Sequence, residues 1–65
     1  MTQAIGEAAG KVWNALSGNG GATVAELARK TRLSRNVVER ALGWLAREDK
    51  LVFDRARNVE TVRLK

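Results

Sequence analysis

Sixty-five residues, with twelve Lys and Arg against seven Asp and Glu and neither Cys nor His, make a short basic chain of net charge +5. That composition excludes a disulfide framework and the usual zinc and redox-metal ligands, and a chain this small, burying only about 60% of its unfolded surface, has room for one domain. No run approaches the roughly 18 apolar residues of a membrane span, and the N-terminus lacks a basic segment followed by an apolar one, so a cytoplasmic protein is expected.

The basic charge is uneven. Residues 1–28 hold one base and two acids, a net −1, whereas residues 29–65 hold eleven bases and five acids, a net +6. Asymmetry of this kind is the footprint of a nucleic-acid binder. A solvated, solubilising surface accounts for it equally well, so the decision rests on where the basic residues fall.

The first predicted element is a helix over about residues 3–17. Ile5, Ala8, Ala9, Val12, Trp13 and Leu16 form one apolar stripe, with Glu7, Lys11 and Asn14 opposite. Gly18, Asn19, Gly20 and Gly21 tolerate positive φ and end it in a sharp reversal. Ala22 and Thr23 are placed to add a short strand. Thr23 and Glu26 then have the spacing of a capping box, in which hydroxyl and carboxylate each bond the other's free backbone N–H. The helix they start runs over about 24–31, with Val24, Leu27, Ala28 and Thr31 inside and Arg29, Lys30 and Arg32 at its end, where cations suit the dipole.

Leu33 fills a turn and Ser34 caps a third helix over about 35–48. Two helices joined by a turn this short make a helix-turn-helix. At about 100° per residue, Val37, Val38, Ala41, Leu42, Trp44, Leu45 and Ala46 share a broad apolar arc, and Asn36, Glu39, Arg40, Gly43 and Arg47 fall on the other side. After Lys50 the period changes to 2, predicting strands over about 51–55 and 60–64. Pairing Leu51 with Leu64 and Phe53 with Val62 puts four apolar residues on one core-facing side, with a tip around Ala56, Arg57, Asn58 and Val59, where Asn58 suits the left-handed region. The hairpin is too small to stand alone and must lie on the helices. Fold class is therefore α+β: three helices, a C-terminal hairpin wing and a short strand at Ala22-Thr23, in the order of a winged helix.

Two runs, I-G-E-A-A-G-K-V-W at 5–13 and G-W-L-A-R-E-D-K-L at 43–51, resemble a family of short stand-alone winged helix-turn-helix proteins of bacteria and archaea. The resemblance spans essentially the whole chain and implies the fold. It implies little about function, because the family has no established activity and the matching runs cover mainly packing residues and the corner between helix and wing.

The chemistry of the remaining residues points to double-stranded DNA. Asn36 and Arg40 lie four apart on one ridge and can form bidentate bonds to adenine and guanine edges in the major groove. Arg35 and Glu39 flank them. Glu39 can accept from a cytosine amino group, but a helix-surface salt bridge to Arg35 or Arg40 is the favoured reading. Arg32, Arg47, Arg55 and Arg57 suit phosphates, the last two from the wing on the backbone or minor groove.

Gly43, costing about 1 kcal/mol in a helix interior, marks either close packing beside Trp44 or a surface where a side chain would strike DNA or a partner. Trp44, at the rim of the arc, reads as a core anchor that also suits a dimer seam. Gly6 and Gly10, with Ser17 in projection, make a smooth strip beside Trp13. Intramolecular packing is its first reading and a homodimer through the first helices its second. Together Gly6, Gly10, Trp13, Gly43 and Trp44 are the candidate dimer or partner surface.

An enzyme is not expected. With no His or Cys, and with Ser17 and Ser34 at helix ends, base and nucleophile are missing. Glu48 and Asp49 point about 100° apart, and Gly18 to Gly21 follow a helix, the wrong context for a phosphate loop. No cofactor or metal is expected. The expectation is a small transcriptional regulator reading DNA as a homodimer at the nucleoid; the alternative is a winged-helix protein-interaction module. RNA ranks third, since no aromatic residue is placed to stack bases.

Overall fold

The computed structural model describes residues 2–18 and 20–65, with side-chain surroundings from residue 6 onward. The element order is α1 (Thr2–Leu16), α2 (Val24–Thr31), α3 (Arg35–Arg47), β1 (Leu51–Ala56) and β2 (Val59–Leu64). Asn19, and the surroundings of Ile5, lie outside the described residues.

Helices α2 and α3 start, and α3 stops, where local chemistry supplies a partner for terminal backbone groups. At α2, Glu26 N–H donates to the Thr23 hydroxyl (3.1 Å) and Thr23 N–H to the Glu26 carboxylate (2.9 Å), completing the capping box. At α3, Val37 N–H donates to the Ser34 hydroxyl at 3.2 Å. The end of α3 is a Schellman motif: Asp49 adopts φ 59°, its N–H donates to Ala46 O, and Lys50 N–H donates to Leu45 O, both at 3.0 Å. Arg32 ends α2 in the same left-handed region, at φ 62°.

The core is one cluster. Ala8, Ala9, Val12 and Leu16 of α1, Leu27 of α2, and Val38, Ala41, Leu42 and Leu45 of α3 meet Ala22, Leu51 and Val62. No polar side chain is buried among the described residues. Ala22 and Val62 exchange both backbone hydrogen bonds, at 2.9 and 2.8 Å, which ties the loop after α1 to β2 and makes Ala22 a single-residue third strand. Gly21, at φ 150°, lets the chain run this close to β2.

The hairpin has the expected register, Leu51 opposite Leu64 and Phe53 opposite Val62. Its tip is tighter than the spacing suggested, because Ala56 pairs with Val59 and only Arg57 and Asn58 turn, at φ 52° and 65°. Two consecutive positive φ values match the twist of a two-residue hairpin turn.

Besides Trp44 on α3, three apolar positions depart from expectation. Phe53 shares a face with buried Leu51 and Val62, yet it is 46% exposed. It sits on the outer strand, one step beyond the part of the hairpin that the helices cover. Trp13 is 38% exposed rather than buried in its stripe, with the Lys50 ammonium 5.5 Å from its ring centroid. Ala46, expected on the buried arc of α3, is exposed, because the hydrophobic arc of α3 is narrower than its apolar composition.

Candidate nucleic-acid interface

The buried side of α3 is Val38, Ala41, Leu42 and Leu45. Rotating about 180° from their mean direction at about 100° per residue brings up Asn36, Arg40, Gly43 and Arg47, all exposed. These four make the outermost ridge of the helix. Arg35 and Glu39 stand to one side of it and Trp44 to the other.

Among the described residues the ion pairs are Arg63–Asp54 at 3.1 Å and Lys65–Asp49 at 2.7 Å, both at the wing or its base. Arg32, Arg35, Arg40, Arg47, Arg55 and Arg57 take part in neither, and all six are exposed. Six exposed arginines thus stand on α3, the turn before it and the wing.

The favoured salt bridge of Glu39 to Arg35 or Arg40 is not formed. Arg35 precedes Glu39 by four residues, the weaker orientation for a helical pair, and Arg40, as the next residue, points about 100° away. Glu39 instead lines a depression of about 340 Å³ with Arg35, the α2 start (Thr23, Val24, Ala25) and the wing tip (Asn58, Val59, Glu60). The fold thus brings Arg35 and Glu39 beside the wing, a juxtaposition between residues far apart in sequence. Asn58 and Glu60 line this depression with Arg35 and Glu39. Asn58 was legible only as a turn former, and nothing local to residue 60 indicates that it faces α3.

Arg32 sits exposed at the left-handed end of α2, Arg57 at the tip of the turn, and Arg55 opposite Glu60 on β1. Arg47 joins Trp44 and Glu48 around a smaller depression of about 250 Å³. A further depression of about 350 Å³ between α1 and α2 is lined by Lys11, Asn14, Ala15, Lys30 and Thr31.

The glycines behave differently from their first readings. A Cβ built at Gly6, Gly10 or Gly43 would meet nothing within 4 Å. Among the described residues, therefore, nothing packs on Gly6 and Gly10 as favoured, nor does Gly43 pack closely beside Trp44. α1 and α3 approach through their alanine and leucine faces and leave the glycines outward. Trp44 is 38% exposed, a rim position and not a core anchor.

The Glu26 carboxyl is held below its usual range, first of all by the Thr23 backbone N–H; desolvation, next in size, opposes this, and the Thr23 hydroxyl and the nearby Lys30 and Arg29 charges lower it further. Among the described residues there is no group of three or more His, Cys, Asp or Glu side chains that could hold a metal ion, and no helix long and apolar enough to cross a membrane.

Comparison with known proteins agrees with this geometry. The chain is 43% identical over 49 residues to the uncharacterized protein MJ1608 of Methanocaldococcus jannaschii, the match covering 72% of this chain and 70% of the relative. It resembles the solution structure of protein BT2368 from Bacteroides thetaiotaomicron with a TM-score of 0.89 and 42% identity, covering 95% of this chain and 76% of that one. With residues 1–64 matching the family model described as winged helix-turn-helix domain (DUF2582), the chain belongs to that family.

Proposed function

We propose that the protein is a small transcriptional regulator that reads double-stranded DNA with α3 in the major groove and the wing against the backbone or minor groove. The observation that carries this reading is the outer ridge of α3. Asn36 and Arg40, the residue types that bond adenine and guanine edges bidentately, stand there exposed and directly opposite the core, with Arg40 in no ion pair among the described residues. Glu39, free of a salt bridge, accepts from a cytosine amino group. Arg35 completes the base-reading set, while Arg32, Arg47, Arg55 and Arg57 contact phosphates. Gly43 keeps the centre of the ridge thin enough for close approach. Two copies acting together at the nucleoid would set their reading helices about 34 Å apart, one turn of DNA.

The second reading, a protein-interaction module, is favoured by the half-exposed Trp44 beside Gly43 and the depression it shares with Arg47 and Glu48. Fluorescence anisotropy against random duplexes at several salt concentrations separates the two. Four or five phosphate contacts, at about 0.9 each, give log affinity against log salt a slope near −4. Arg40→Glu should cost at least tenfold in affinity with an unchanged thermal melt. No binding at low salt, or binding unaffected by Arg40→Glu, refutes the DNA reading and turns attention to the Trp44 surface.

A further inference from the structure

One aromatic ring of α3 borders a hollow that also carries charges of both signs. Trp44 is 38% exposed, and with Arg47 and Glu48 it lines the depression of about 250 Å³ beside the outer ridge. Arg47 and Glu48 follow Trp44 by three and four residues, the spacing of neighbours on a helix surface. Glu48 still follows the helical path, its N–H donating to Trp44 O at 3.2 Å. Helical side chains lean toward the N-terminus, so both charged groups lie back over the turn that carries the ring. Among the described residues none of the three side chains makes a hydrogen bond or an ion pair. Gly43, where a Cβ would meet nothing within 4 Å, keeps the ridge next to the ring open.

Trp13 is equally exposed, but the Lys50 ammonium already stands 5.5 Å from its ring centroid. Among the described residues the Trp44 ring holds no such cation. The expectation that no aromatic residue is placed to stack a base therefore fails at Trp44.

We propose that this hollow binds one unpaired guanine base of a DNA strand. The base stacks on the exposed side of the Trp44 indole, the Glu48 carboxylate accepts from guanine N1–H and the N2 amino group, and the Arg47 guanidinium meets the adjoining phosphate. Guanine is the base because its Watson–Crick edge offers two adjacent donors to two carboxylate oxygens. Adenine and cytosine set an acceptor beside their amino group, and thymine sets one on each side of its N–H, so a carboxylate is repelled there. Both guanine donors are used in a G·C pair, and so the base must be unpaired. A single base also suits a hollow smaller than the roughly 300–1,000 Å³ of sites for drug-sized ligands. An apolar protein segment would bury Arg47 and Glu48 without partners, whereas a nucleotide has a group for each. The site rests on the DNA reading only in giving Arg47 a phosphate.

Tryptophan fluorescence tests it. Trp13→Phe leaves Trp44 as the one tryptophan, and single-stranded thymidine heptamers with and without a central guanine are titrated at low salt. Stacking should quench Trp44 saturably, and the guanine heptamer should bind about fivefold tighter or more. Glu48→Gln should remove that preference. Trp44→Leu, which keeps an apolar side chain at the rim, should weaken the guanine heptamer about tenfold in labelled-strand anisotropy, with an unchanged thermal melt. Absence of Trp44 quenching overturns the proposal, as does equal binding of the two heptamers or a guanine preference that survives Glu48→Gln. Duplex binding without quenching by single strands refutes this site alone; quenching without duplex binding upholds the site and refutes the duplex reading.

Discussion

Replacing Gly43 by alanine separates stability from binding at a single atom. Gly43 lies in the interior of α3, and a Cβ there meets nothing within 4 Å. The substitution therefore adds no clash and removes the backbone-entropy cost of glycine, worth about 0.8–1.0 kcal/mol relative to alanine in a helix interior. For a domain of this size that gain raises the melting temperature by about 4–8 °C. Urea unfolding followed by tryptophan fluorescence measures it, with Gly10→Ala on α1, equally open, as a control expected to gain a similar amount. The two variants should then part in a DNA titration. Gly43→Ala places a methyl at the centre of the proposed reading ridge and should lose about tenfold in affinity, or about 1.4 kcal/mol, whereas Gly10→Ala should bind as the wild type does. If Gly43→Ala destabilises the fold, the space beside residue 43 is filled and the account of α3 is wrong. Stabilisation with unchanged DNA binding would remove the ridge from the interface.

Other expectations follow from the same contacts. Leu27 is fully buried, and Leu27→Ala should cost about 2–5 kcal/mol, enough to unfold a chain whose total stability is on the order of 3–10 kcal/mol; circular dichroism at 25 °C shows it directly. Thr23→Ala removes one arm of the capping box and should cost about 1 kcal/mol in urea unfolding. Because the folded Glu26 pKa is depressed, its cap contribution is fully present above the ordinary glutamate pKa and disappears as pH falls through the lowered folded value. An NMR titration of the Glu26 carboxyl should find its pKa below the ordinary value in the wild type and closer to it in Thr23→Ala. Asn58→Gly relieves a residue at φ 65° and should leave stability unchanged or raise it by up to about 1 kcal/mol.

The parts of this fold that could be read from the sequence are those set by neighbours along the chain. The capping box needs only Thr23 and Glu26 three apart, the α3 cap only Ser34, and the hairpin register only the alternation of Leu51, Phe53, Val62 and Leu64. How far the helices extend over the hairpin is a tertiary fact, and so Phe53 could be assigned to the right face and still be exposed. The same limit applies to the glycines. A smooth strip at Gly6 and Gly10 shows that close approach is allowed, while whether anything approaches depends on the position of α3. At the candidate interface the ridge of Asn36, Arg40, Gly43 and Arg47 followed from helical periodicity alone. The facing of Arg35 and Glu39 by Asn58 and Glu60 did not, because it depends on how the wing folds back across the chain. For Glu39, spacing permits a bridge to Arg35, but the basic residue stands N-terminal to the acidic one, the weaker order for a helical pair.

The most direct test of the central claim is a nitrogen-15 amide map of the protein titrated with a random-sequence duplex at low salt. The account predicts shifts concentrated at Asn36, Arg40, Gly43 and Arg47 and at the wing residues Arg55 to Asn58, reversed by added salt, with Gly6, Gly10 and Lys11 on α1 still. Shifts centred on α1, or none at all, would contradict it.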